Sequence, residues 1–132
     1  MKIRYLRQCF VFGLGGIILL VLWAAIPAQA APVVHYVAPG TNCNGAQPCY
    51  ADIDSAIDAA ANYDEIRVAQ GTYTQLGTED GITAVVHIVD KRLTLTGGYP
   101  TTDWNTPNPA AYPTIISAQN NGIGIYVNYQ AD

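Results

Sequence analysis

Hydrophobic positions follow three different spacings along the chain. From Cys9 to Ile26 the residues are mostly apolar and carry no charge. Around the middle, Ile53, Ala56, Ile57, Ala60 and Ala61 fall at helical intervals and form one apolar stripe. Elsewhere apolar residues alternate with polar ones or gather in short runs: Val33–Val37, Glu65–Val68, Ala84–Val89, Arg92–Thr96, Thr114–Ser117 and Gly124–Asn128. Most of these runs end at Gly, Pro or Asn, so each predicts a short strand. One helix among six strands predicts an all-β domain, without regular antiparallel hairpins.

The helix carries its own local signals. Asp52 stands where an N-cap belongs, and Asp52 and Asp54 suit the positive end of the helix dipole. Asp54 and Asp58 lie one turn apart on the polar face, as a mildly repulsive, solvated pair rather than a cation site. Asn62 offers a left-handed exit. Ile66-Arg67-Val68 then alternates as a strand, with Arg67 facing outward and Gly71 at its end.

Strand spacing favours a solenoid over a sandwich. Ile66–Val68, Leu93–Leu95 and Ile115–Ile116 recur at intervals of about 27 and then about 22 residues, the spacing of stacked coils. In such a stack the inward Val, Ile and Leu residues form ladders, and each coil needs a neighbour on both sides. The Ile53/Ile57 stripe has the right size to cover the open first coil, whose strand edges would otherwise be bare.

The N-terminal apolar run changes the expected location. Lys2, Arg4 and Arg7 precede it, Pro27 breaks it, and Ala28-Gln29-Ala30 is a small-x-small site before Ala31. Residues 1–30 are thus expected to be a secretory signal peptide cleaved between Ala30 and Ala31, with residues 31–132 as the exported domain. At about 18 residues the run is also long enough to span a bilayer, so an uncleaved membrane anchor is the alternative. In either case the positive flank stays cytoplasmic and the remainder is sent outward, to the cell surface or beyond. Cys9 starts the apolar run and marks no cleavage site.

Loss of the signal leaves Arg67, Lys91 and Arg92 against ten carboxylates, a net charge of −7. Nucleic acid and anionic lipid both need basic patches and are excluded as partners. Calcium is compatible with an acidic exported surface, but so is plain solubility. Export also decides the cysteines. Cys43 and Cys49 flank the turn residues Asn44, Gly45 and Pro48, and outside the cell such a pair predicts a disulfide. So short a loop is worth about 2.4 kcal/mol. A zinc half-site would need tighter spacing and two further ligands.

Several motifs, taken in order, resemble a known family. The Tyr36-Val37 strand, the paired cysteines and Cys49-Tyr50-Ala51-Asp52-Ile53-Asp54-Ser55-Ala56-Ile57-Asp58-Ala59-Ala60 resemble the N-terminal cap of secreted right-handed parallel β-helix proteins, the pectin-lyase-like surface proteins of bacteria. Asp64 to Tyr73 is similar to their G-D-x-I-x-V-x-x-G-x-Y signature. Thr94-Leu95-Thr96-Gly97-Gly98-Tyr99 followed by Asp103-Trp104, and then Pro113 to Gln119, resemble later landmarks. Tyr63 departs from the usual Gly, which alters the turn after the helix. Ser117 departs from a common Asp, which removes one cation ligand. The resemblance implies a right-handed parallel β-helix of which residues 31–132 are the N-terminal cap and first coils. It also implies that the chain is a fragment of a longer one, with an open coil end that continues or self-associates.

Function is less legible than fold. The implied fold hosts polysaccharide lyases and glycoside hydrolases, so an active site beyond residue 132 is one expectation. Within the chain, Glu79, Asp80, Asp90 and Asp103 are scattered among loops, with no calcium-loop spacing. Lys91 and Arg92 read as solvated charges flanking a strand. His35 and His87 have no neighbouring nucleophile and read as structural. No cofactor and no catalytic residue is therefore expected here. Tyr99, Asp103, Trp104 and Tyr112 could contact a polysaccharide or cell-surface glycan, with aromatics stacking on sugar rings. Alternatively Trp104 packs a long loop onto the coil exterior. A structural or adhesin-like role needs no unseen chemistry and is preferred.

Overall fold

The computed structural model describes residues 30–130. All of the expected signal peptide or anchor (residues 1–30) except Ala30 lies outside the described residues. Ala30 and Ala31 are exposed and irregular. The described chain is mostly strand, with one α-helix. In order come β1 (Val34–Val37), β2 (Cys49–Tyr50), α1 (Ile53–Ala59), β3 (Glu65–Ala69), β4 (Gly71–Tyr73), β5 (Gly77–Glu79), β6 (Ile82–Val89), β7 (Thr94–Tyr99), β8 (Thr114–Ile116) and β9 (Ile123–Asn128).

The helix is seven residues long, too short to stand alone. Both its ends are held by side chains. Asp52 is the extended N-cap, and its Oδ1 accepts from the Ser55 backbone N–H at 2.8 Å. At the other end Lys91 Nζ donates to the carbonyls of Ile57 (2.6 Å) and Asp58 (2.9 Å). A cation on the last carbonyls complements the helix dipole, so Lys91 is a cap rather than a solvated flank. The left-handed residue of the exit is Tyr63 (φ 74°), not Asn62. Asn62 instead accepts from the Arg92 backbone N–H through Oδ1, at 2.8 Å.

Three sheets form. The first has the order β2-β1-β3-β7 and is parallel throughout; the second pairs β4 with β8; the third has the order β5-β6-β9. In chain order β3, β4 and β6 are each joined in parallel by β7, β8 and β9. Residues 94–128 thus lie strand for strand beside residues 65–89. Ile66 neighbours Leu95, Tyr73 neighbours Ile116 and Val86 neighbours Ile125. The apolar recurrence noted in the sequence belongs to two different ladders. Leu95, not Leu93, stands beside Ile66, and Ile115 stands beside Thr72 in the second sheet.

The core lies between these sheets. Val37, Ile66, Val68, Tyr73, Val85 and Val86 bury their side chains together, and Ile53, Ala56 and Ile57 of α1 cover them. Of the nine strands, β2, β4 and β5 carry too few alternating positions to be read from sequence. β5 and β6 form an antiparallel hairpin through Asp80 (φ 48°) and Gly81 (φ 79°). Asp-Gly is a strong signal for a two-residue hairpin turn.

At the far side of the structure β7, β8 and β9 are all edge strands. Ile115, Ile123, Ile125 and Val127 there are 45–62% exposed. Between Leu93 and Gln130 Asp103 is the one charged residue.

Candidate functional site

Trp104 anchors the long connection between β7 and β8. Its ring lies edge-on to Tyr36 (5.0 Å) and tilted against Tyr99 (5.8 Å), and its Nε1–H donates to the Cys43 carbonyl at 3.1 Å. Cys43 and Cys49 lie at disulfide distance, with Cα atoms 6.0 Å apart, and Cys43 packs in the same cluster. Arg67 crosses the cluster. It holds Glu65 through two hydrogen bonds of 2.9 Å, donates to the Trp104 carbonyl at 2.6 Å and sits over the Tyr99 ring. Arg67 does face outward, but into this cluster. Tyr99 and Trp104 are only 3% and 8% exposed. The faces expected to stack on a sugar are therefore occupied by protein, because burying a Trp–Tyr pair removes a large apolar area from water. Asp103 accepts from its own loop at the Asn105 N–H (2.8 Å), and Tyr112 is half-buried in the turn that begins at Asn108.

Both histidines are buried against carboxylates. His35 Nε2 lies 3.1 Å from Asp64 Oδ2, and its Nδ1 lies 3.3 Å from the Tyr50 hydroxyl. Asp64 also accepts from the backbone N–H groups of Val33 and Ala61, each at 2.8 Å. The Val33 bond does most to hold its carboxyl below the usual range; burial opposes it, and Ala61 and His35 add to it. His87 meets Asp54. Its Nδ1 lies 2.9 Å from Asp54 Oδ2, while its backbone N–H donates to Asp54 Oδ1 at 2.7 Å. Nε2 lies 3.1 Å from the Ile82 carbonyl, which can only accept. Both ring nitrogens thus face acceptors, an arrangement that suits the imidazolium. Burial alone would push the His87 pKa down, but the bonds to Asp54 and Ile82 together raise it. Gly77 closes over the pair, since a Cβ there would stand 2.8 Å from Asp54 Oδ2. The Asp54 carboxylate is committed to His87 and is not a solvated partner of Asp58.

A polar cleft of about 420 Å³ opens beside the turn that follows α1, lined by Asn62, Tyr63, Asp90, Arg92, Tyr129 and Gln130. Arg92 stands within it. Nη1–H donates to the Tyr63 hydroxyl at 3.0 Å, Nη2–H donates to the Tyr129 hydroxyl, and the guanidinium lies over the Tyr129 ring, 5.0 Å from its centroid. Tyr63 and Tyr129 are about half exposed. Asp90 Oδ1 accepts from the Gln130 backbone N–H at 2.9 Å. These residues are far apart in sequence, so no spacing could announce them. The one hint is Tyr63 at a turn position that favours Gly.

Among the described residues, no group of three or more His, Cys, Asp and Glu side chains is placed to hold a metal ion. No described helix is long and apolar enough to cross a membrane. No protein-family model, curated protein or solved structure matches the chain.

Proposed function

We propose that this chain is the exported N-terminal part of a right-handed parallel β-helix with a scaffold or adhesin-like role at the cell surface. In this view α1 and β2 seal one end, and β7, β8 and β9 offer the other to a further coil. The observation that carries the proposal is the repeated parallel pairing of β3 with β7, β4 with β8 and β6 with β9. Each strand of one turn of the chain receives the corresponding strand of the next, which is how a stacked solenoid grows.

The composition of the last three strands supports the same conclusion. Three bare edges, four exposed aliphatic side chains and a near absence of charge form a poor surface for water. Uncharged edges of this kind invite another strand. The cell-surface role is tested by protease shaving of intact cells, which should remove the chain. Protection until the cells are lysed would sink it. Contacts between Ile66 and Leu95, Thr72 and Ile115, and Val86 and Ile125 in nuclear Overhauser spectra would support the stack, and antiparallel contacts would overturn it. Release of unsaturated uronate in the presence of calcium would favour a lyase instead.

A further inference from the structure

Three basic residues occur between Ala30 and Gln130, and two of them already have negative or partly negative partners. Arg67 is ion-paired with Glu65, and Lys91 donates to the carbonyls that end α1. Arg92 differs. Among the described residues it makes no ion pair, and its side chain is bonded to two neutral phenols.

Counting hydrogens shows what this arrangement lacks. A guanidinium has five N–H donors and no acceptor. Two are directed at Tyr63 and Tyr129, and the others remain. Each phenol oxygen accepts from Arg92, so each phenol keeps its own O–H to donate elsewhere. A cation and two hydroxyl donors thus converge in one cleft, which calls for an oxyanion. The planar fork of arginine matches a carboxylate best, through two parallel bonds. The two phenol bonds and the contact with the Tyr129 ring hold the guanidinium before any ligand arrives, which lowers the ordering cost of binding.

The remaining lining narrows the ligand further. Half-exposed Tyr63 and Tyr129 offer ring faces, Asn62 and Gln130 offer amides, and Asp90 has a second carboxylate oxygen for ligand hydroxyls. A cleft of about 420 Å³ lies within the range of small-molecule sites. The rest of the exported domain is strongly acidic. A polyanion would be strongly repelled by that field, whereas a single acidic group on a neutral ligand is repelled far less. We propose that the Arg92 cleft binds one carboxylate-bearing sugar residue within or at the end of an otherwise neutral glycan. Its carboxylate meets Arg92 and the two tyrosine hydroxyls, its ring covers a phenol face, and its hydroxyls donate to Asp90. The site rests on these residues alone and does not depend on the solenoid.

The test is an amide and side-chain NMR titration of the exported chain with methyl glucuronide, methyl glucoside, a glucose sulfate ester and oligogalacturonate. Saturable shifts confined to Tyr63, Arg92 and Tyr129 are expected with methyl glucuronide, with binding to the neutral glucoside weaker by about tenfold or more. Arg92→Gln should abolish the response, and Tyr129→Phe, which keeps the ring, should weaken it severalfold. Unchanged spectra elsewhere report that each variant is folded. Four results would overturn the proposal: no saturable response to methyl glucuronide, equal binding of the neutral sugar, tighter binding of the sulfate ester, or tighter binding of the oligogalacturonate. All four are measured on the wild-type chain, so they stand even if a variant fails to fold.

Discussion

Asp54→Ala should cost more than any surface substitution on this domain. The Asp54 side chain is 20% exposed, but its partner His87 is 1% exposed. Removing the carboxylate deletes the bond to Nδ1 and the bond to the His87 backbone N–H. Two buried polar groups then lack partners, at about 1–3 kcal/mol each. A total of about 2–6 kcal/mol follows, which brackets the usual cost of breaking a buried pair from one side, about 3–5 kcal/mol. α1 also loses its polar tie to β6. The assay is urea denaturation of residues 31–132 at about pH 5.5 and about pH 8, on either side of the ordinary imidazole value. The sign follows from linkage. The folded His87 pKa is raised, so its stabilisation is complete below the unfolded value of about 6.5 and fades as pH rises through the folded value. The loss caused by Asp54→Ala should therefore be larger at the lower pH. Asp54→Asn keeps an acceptor for the backbone N–H and should recover part of the loss while flattening the pH dependence. A cost below about 1 kcal/mol, within the range of a single ordinary hydrogen bond, would refute the account. So would an Asp54→Ala variant that keeps the wild-type pH dependence.

Other substitutions probe the remaining supports. Gly77→Ala forces a Cβ to within 2.8 Å of Asp54 Oδ2, and should lower stability by about 1–3 kcal/mol in thermal melts. Trp104→Ala should cost about 3–5 kcal/mol in the same melts, while leaving the Arg92 titration unchanged. Reduction of the Cys43–Cys49 pair should lower stability by about 2.4 kcal/mol on the loop-entropy estimate, read by denaturation with and without reductant.

Features decided within a few residues were legible in the sequence. Asp52 ahead of the Ile53/Ile57 stripe located the helix, and the Cys43–Cys49 spacing located a pair at disulfide distance. The antiparallel β5–β6 hairpin runs against the expectation of no regular hairpins: Asp80-Gly81 was the signal for it, but β5 has only three residues and shows no alternation of its own. Pairing was less accessible. Leu93 and Leu95 are equally apolar, and only the register of β3 against β7 selects Leu95 as the neighbour of Ile66. The polar partners were hidden for the same reason. Asp54 looks like a solvated helix residue until β6 brings His87 to it, and Arg92 is the exposed strand flank expected, but its bonds to Tyr63 and Tyr129 join residues too distant in sequence to be paired from it. Trp104 shows the opposite difficulty. An aromatic beside an Asp in a Gly- and Pro-rich loop suits a sugar or a core equally well, and its contacts with Tyr36 and Tyr99 decide for the core.

The reach of Trp104 has a mechanical consequence. Strands stacked in a row hold mainly their immediate neighbours, so a pull along the row separates them one at a time. Trp104, which follows β7, touches Tyr36 of β1, bonds to the Cys43 carbonyl beyond β1, and receives Arg67 of β3 on its own carbonyl. It acts as a clasp across three strands. Under tension the β3–β7 junction cannot open without also releasing contacts made at β1. The sheet should therefore yield in one abrupt step rather than peel strand by strand, and Trp104→Ala should turn that single rupture into a series of smaller ones.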